Sequence, residues 1–199
     1  VFRTVKTEDE KPSVSEKENI LVVSTSNTQI AFDKTSGIIM GVKSNGKAIS
    51  FCNGVRFAGY NATFSELKHY PQGNSYVVEL KYNEGCRAIW TIYGGGWMKL
   101  DYEYSPSGEF DYTGITFTYP EELVTGATLM ANGPYHVWKN RLKGTLFGVY
   151  KNKYNNTITG ESWDYPEFKG YYSNFYGVQL QTRELPITIL SATGNLFLH

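Results

Sequence analysis

Two irregular segments in the second half of the chain place aromatic side chains beside groups that donate and accept hydrogen bonds. The first contains Tyr135, Trp138 and Arg141, and the second contains Glu161 and Trp163. Sugar rings have apolar C–H faces ringed by hydroxyl groups, so a sugar site needs flat aromatic rings beside carboxylate and guanidinium groups. These five residues are a candidate carbohydrate site. Alternatively, the aromatics close the ends of a sandwich or face another domain.

Metal, cofactor and nucleophile chemistry have no comparable signal. His69 and His136 lack the tight spacing of a ligand set, so we expect no metal and no cofactor. The sequence has no Gly-x-Ser-x-Gly elbow for acyl transfer. Cys52 and Cys86 lie in no nucleophile context, and we expect two structural thiols.

A pair of carboxylates is enough for glycoside hydrolysis, and sequence spacing does not constrain it. The acidic residues that could supply such a pair are Glu121, Glu122, Glu161, Asp164 and Glu167. The alternative is that they are solvated residues of turns, and we name none of them as catalytic.

The composition restricts the partners. The 19 Lys+Arg residues balance 19 Asp+Glu residues, so the basic surface that a phosphate backbone requires is missing and nucleic acid is not an expected partner. No apolar run is long enough to cross a bilayer as a helix, so we expect no membrane partner. The 16 Tyr, 11 Phe and 20 Gly residues favour strands and turns, which predicts an all-β fold.

Residues 1–18 carry charges and one proline without apolar alternation, which predicts a linker or N-terminal arm before a β-domain over 19–199. Within that domain, Asn45-Gly46 predicts a tight type I′ hairpin leading into 48–51. The glycine triplet at 94–96 is interpreted as a hairpin connection. The further predicted strands are 76–82, 87–93, 97–104, 114–119, 145–150, 175–181 and 185–190. The predicted core residues are Ile30, Phe32, Ile39, Val78, Leu80, Ile89, Leu100 and Phe117.

Two segments carry a resemblance to a known family. The segment 27–49, NTQIAFDKTSGIIMGVKSNGKAI, resembles the opening of the C-terminal, small-chain domain of family 2 β-galactosidases. There, a strand with Phe-Asp/Asn, a Thr/Ser-Gly turn and a hairpin near NGK occur in that order. The segment 133–141, GPYHVWKNR, resembles the GPxExYxDR signature of that domain, with His136 at the usual Glu position and Trp138 at the Tyr position.

The resemblance covers roughly residues 20–190, and the chain departs from it at 56–67, where RFAGYNATFSEL replaces a RAPTDND-like run. It implies a galactose-mutarotase-like β-supersandwich of two large twisted antiparallel sheets. It also implies a non-catalytic, carbohydrate-associated accessory domain of a family 2-like glycoside hydrolase. The implied partners are a weakly bound galactoside-like sugar and the catalytic barrel of the parent enzyme, which holds both catalytic carboxylates and is absent from this chain.

Two alternatives remain open at this point. One is an aldose epimerase of the mutarotase type, for which only His69 and His136 could supply the histidine pair. The other is a purely structural domain whose aromatic loops face a sister domain. If the parent degrades polysaccharides, a periplasmic or extracellular location is expected.

Overall fold

The short alternating runs of aromatic and β-branched residues form strands, as these residue types do on pleated, half-buried surfaces. The structure is a computed structural model that describes residues 10–105, 107–138, 143–153 and 170–199. These residues form antiparallel strands and short 3₁₀ turns at Asn83–Gly85 and Glu121–Leu123, and they contain no α-helix. The all-β prediction is confirmed. The described chain divides into two compact units, of which the first ends at Pro120 and the second begins at Glu121.

The first unit holds strands β1 to β11. Their bounds are β1 Ser13–Lys17, β2 Ile20–Ser24, β3 Thr28–Asp33, β4 Ile39–Ser44, β5 Lys47–Ile49, β6 Cys52–Ala58, β7 Phe64–Gln72, β8 Ser75–Tyr82, β9 Arg87–Tyr93, β10 Met98–Glu103 and β11 Gly114–Thr118. One sheet has the order β1-β2-β3-β4-β5, a second has β10-β9-β8-β7, and β6 pairs with β11.

A continuous core fills the first unit. Phe32, Trp90 and Phe117 are neighbours in it, with ring centroids 6.4 Å apart for the first two and 5.9 Å for the last two. Of the predicted core residues, five are buried, namely Ile30, Phe32, Ile39, Val78 and Leu80. Leu100 and Phe117 are partly buried and pack against this core. Cys52 and Cys86 are free thiols, in agreement with the sequence.

The prediction for Ile89 is wrong. Side chains alternate across a strand, and β9 buries Ala88, Trp90 and Ile92, so Ile89 lies on the opposite face. Its cross-strand neighbours there are Glu79 and Asp101, which mark the polar side of the sheet.

The turn from β3 to β4 is held by one carboxylate. Asp33 accepts hydrogen bonds from the backbone N–H and hydroxyl of Thr35, at 2.8 and 2.7 Å, and from the Ser36 hydroxyl at 2.8 Å. The Thr35 hydroxyl is the largest of the influences that keep the pKa of Asp33 below its usual value. Gly37 then takes a φ of +72°, and a Cβ atom there would lie 2.5 Å from the Phe64 ring. The backbone of this turn therefore packs directly against the Phe64 ring.

The glycine triplet also serves a close contact. Gly96 has a φ of +84°, and a Cβ atom there would collide with the Asn27 side-chain oxygen. A Cβ atom on Gly94 would collide with the Glu10 carbonyl oxygen, and the Ser26 hydroxyl donates to the Gly94 carbonyl at 3.3 Å. The triplet is a hairpin connection between β9 and β10, as predicted, and its bare backbone also lets the turn between β2 and β3 pack on it.

The structure describes two parts of the first sheet that the sequence analysis singled out, the Asn45-Gly46 turn and the N-terminal residues. Asn45 and Gly46 have φ values of +51° and +76°, which confirms the tight hairpin between β4 and β5. Within the predicted linker or arm, residues 13–17 form β1 and pair along β2 from Ser13↔Ser24 to Lys17↔Ile20. All five side chains of β1 are exposed, which is why no apolar alternation marked this strand in the sequence.

The second unit holds strands β12 Val124–Gly133, β13 Leu146–Asn152, β14 Tyr172–Phe175, β15 Gly177–Thr182, β16 Ile187–Leu190 and β17 Leu196–Leu198. One sheet has the order β13-β12-β15-β16, and β14 pairs with β17. Its core contains Leu129, Ala131, Tyr172, Phe175 and Val178. The single strand predicted over 175–181 is divided, because the chain changes partners at Tyr176.

Gly37→Ala should destabilise the first unit more than Gly73→Ala. Both glycines have positive φ, where an L-residue costs about 1–2 kcal/mol. A Cβ atom at Gly73 meets open space, whereas one at Gly37 meets Phe64, and overpacking adds about 1–3 kcal/mol. Denaturant unfolding of both variants gives the difference in the free energy of unfolding, and equal losses would contradict the packing of this turn on the core.

Candidate functional site

The structure describes two of the five predicted carbohydrate-site residues. Tyr135 and Trp138 lie in the second unit, between β12 and β13. Arg141, Glu161 and Trp163 lie outside the described residues, so the clustering of all five stays a prediction.

The segment 134–138 is fastened to the second unit by its backbone. It begins after the cis peptide bond Gly133–Pro134. Val137 and Tyr171 exchange both backbone hydrogen bonds at 2.9 Å, and the Val137 side chain is buried. Gly170 makes this approach possible, because a Cβ atom there would lie 2.6 Å from the Val137 carbonyl oxygen.

The aromatic residues on either side of this anchor differ in exposure. The Tyr135 hydroxyl donates to the Gly144 carbonyl at 3.1 Å, and this ring is half-buried. Trp138 follows the buried Val137 and is 42% exposed. Part of the Trp138 indole is therefore exposed to solvent, while the backbone of the preceding residue, Val137, is held by its pairing with Tyr171.

Asn152 on β13 holds the start of the same segment. Its side-chain NH₂ group donates to the Pro134 carbonyl at 2.8 Å and to the Tyr172 hydroxyl at 2.9 Å. The Tyr172 ring meets the His136 ring edge-on, with centroids 4.2 Å apart. Burial raises the pKa of Tyr172, so the phenol stays protonated. Asn152 is a positioning residue that the sequence analysis did not find, because no local pattern links it to Pro134.

A second polar network lies in the first unit. Glu16 on β1 accepts a hydrogen bond from Lys34 at 2.8 Å and lies 3.4 Å from Nε2 of His69 on β7. Nδ1 of His69 shares a hydrogen bond of 2.7 Å with the Tyr76 hydroxyl on β8. Desolvation raises the pKa of Tyr76, and the nearby Glu16 charge acts in the same direction. The His69 imidazole therefore lies between the Glu16 carboxylate and the Tyr76 phenol, with one ring nitrogen facing each.

The described residues also bear on the hydrolase, metal-binding, membrane and epimerase alternatives. Glu121 and Glu122 are exposed in a 3₁₀ turn, and the remaining candidate carboxylates lie outside the described residues. Among the residues that the structure describes, no group of three His, Cys, Asp or Glu side chains could hold a metal ion. The same residues include no helix long and apolar enough to cross a bilayer. His69 lies in the first unit and His136 in the second.

No protein-family model matches this sequence, and no curated protein matches it either. The resemblance to family 2 glycoside hydrolases therefore stays a prediction carried by the segments 27–49 and 133–141. The structure adds a physical reason for some residues of the first segment, since Asp33, Thr35 and Gly37 build the turn between β3 and β4.

The Glu16 network should make stability depend on pH in the acid range. The hydrogen bond from Lys34, more than any other influence, holds the folded-state pKa of Glu16 below its ordinary 4.5. Its stabilising contribution is thus complete above pH 4.5 and is lost as the pH falls through the lower folded-state value.

Glu16→Gln should flatten this part of the curve of unfolding free energy against pH, as measured by denaturant unfolding between pH 3 and 7. Glu18→Gln is the matched control, because Glu18 is exposed and has no ion pair within the described chain. A curve for Glu16→Gln as steep as that of the control would contradict the role of this carboxylate.

Proposed function

We propose that this chain is a carbohydrate-associated accessory domain of a family 2-like glycoside hydrolase, and that its second unit binds a galactoside-like sugar weakly. The observation that carries the proposal is the indole of Trp138, 42% exposed on a segment fixed by Val137 and Asn152. A fixed aromatic plane suits the apolar face of a sugar ring without an entropic cost for ordering the segment.

The identity of the other sugar contacts follows from the sequence. Arg141 and Glu161 supply the charged hydrogen-bonding groups of the proposed site, and Trp163 supplies a second ring. Tyr135 supports the platform through its hydrogen bond to Gly144. The catalytic partner is a barrel domain in the parent protein, as the resemblance of 27–49 and 133–141 implies.

Trp138→Ala should weaken sugar binding by about 2- to 13-fold, since an aromatic contact is worth about 0.5–1.5 kcal/mol beyond the area that it buries. Methyl β-galactoside is titrated to millimolar concentrations while the indole N–H resonances are followed by NMR. Tyr112→Ala is the control, because Tyr112 is 56% exposed and lies in the first unit.

The proposal fails if saturating sugar moves no resonance of Trp138, or if the two variants bind equally well. The first result would favour the structural alternative, in which the aromatic residues face another protein surface.

The isolated chain should have no catalytic activity. Glycoside hydrolysis needs two carboxyl groups roughly 5–9.5 Å apart in a cleft that encloses the bond. In the resembled enzymes both groups belong to the barrel. We expect no hydrolysis of aryl β-galactosides or aryl β-glucuronides, and no acceleration of galactose or glucose mutarotation followed by polarimetry. Activity that Glu161→Ala or His136→Ala abolishes would contradict the accessory role and favour a hydrolase or an epimerase.

A further inference from the structure

Two turns at one end of the first sheet border a depression of about 330 Å³. One turn connects β2 to β3 and contains Asn27, and the other is the Asn45-Gly46 turn between β4 and β5. They are joined directly, because the Asn45 backbone N–H donates to the Asn27 carbonyl at 2.7 Å. The rim of the depression is therefore held by the backbone as well as by the sheet beneath it.

The orientation of the Asn27 amide is fixed within this rim. Its side-chain oxygen accepts hydrogen bonds from the hydroxyls of Thr28, at 3.0 Å, and Thr25, at 3.4 Å. Gly96 lies against the same oxygen, at a distance that leaves no room for a Cβ atom. Since the oxygen is engaged, the NH₂ group is the unused end of this amide, and it has no hydrogen-bond partner in the described chain.

The side chains around the depression are polar. They are those of Thr25, Ser26, Asn27, Gln29, Lys43 and Asn45. This lining, as the structure describes it, holds no carboxylate and no apolar side chain. Lys43 forms no ion pair with any described residue, and the amides of Gln29 and Asn45 are likewise unpaired there. The depression thus combines one uncompensated positive charge with groups that donate and accept hydrogen bonds.

We propose that this depression binds one acidic sugar residue, with its carboxylate on the Lys43 ammonium group and its hydroxyls on the surrounding amides. Each sugar hydroxyl both donates and accepts a hydrogen bond, and amide and hydroxyl side chains match that capacity. The depression, of about 330 Å³, is open to solvent, so part of a bound sugar would stay in contact with water. The site is independent of the Trp138 platform, because it lies in the other unit.

The binding should be weak, with a dissociation constant in the millimolar range, because the lining side chains of Asn27, Lys43 and Asn45 are all exposed and lose water when the sugar binds. The charge of Lys43 should supply the preference for an acidic sugar over a neutral one. An exposed ammonium group pairs with a carboxylate most effectively at low ionic strength.

The test follows the side-chain amide resonances of Asn27, Gln29 and Asn45 by NMR in the 199-residue chain at low salt. The probes are the methyl glycosides of galacturonic acid and galactose, with acetate as the bare anion. We expect the galacturonide to shift these resonances with an affinity at least fivefold higher than that of the galactoside or acetate. Lys43→Gln should abolish the preference for the acidic sugar, and Lys17→Gln, an exposed lysine on β1, should leave it unchanged.

Equal affinities for the two glycosides, or an unchanged preference in Lys43→Gln, would overturn the proposal. So would acetate binding as strongly as the galacturonide, which would leave an anion site without recognition of a sugar. Failure here is distinguishable from failure of the proposed function, because the resonances of Trp138 report on the other unit in the same titration.

Discussion

The two-residue alternation of β8, β9 and β10 is the constraint on which the first unit depends. It places Val78, Leu80 and Trp90 on one face, where they join the buried cluster. Each large side chain removed from water there contributes about 1.5–3 kcal/mol. The same alternation collects the charged side chains on the opposite face, where Arg87 lies 2.6 Å from Glu103 and 3.4 Å from Glu79. One face of this sheet therefore joins the core, while the other carries the ion pairs and also buries Val77. A shift of register by one residue would exchange the two faces.

Glycine determines where backbones may approach each other and the core rings. Gly37 lets a turn rest on Phe64, and Gly170 lets Val137 pair with Tyr171. In both places a longer side chain would push a loop away from the surface that holds it. Gly170 therefore helps to position the segment that carries Trp138. It lies more than 30 residues further along the chain, and it acts through the absence of a side chain.

Much of the first unit could be predicted from the sequence, because alternation and turn chemistry are local properties. The Asn45-Gly46 turn and the bounds of β9 were predicted correctly for this reason, whereas β5 covers Lys47–Ile49 rather than the predicted 48–51. Ile89 was misassigned because Ile89 and Ile92 have opposite parity on β9, and Ala88, the smallest buried residue there, gave little signal. The contacts that build the sites were not predictable, because Asn152 meets Pro134, and Glu16 meets His69, only after distant strands have come together.

The exposed strand β1 has a consequence for how copies of this protein behave toward one another. Next to it, β2 carries the sequence ILVVS and buries Leu21 and Val23. Such a β-branched, uncharged run at a sheet edge is a template for uncontrolled strand pairing between molecules. By lying along β2 with the sequence SVSEK, β1 satisfies its hydrogen bonds and replaces an apolar margin with a hydroxylated and charged one. Glu16 connects β1 to Lys34 and His69, so this network helps to keep β1 in place over β2 and thereby limits strand pairing between molecules.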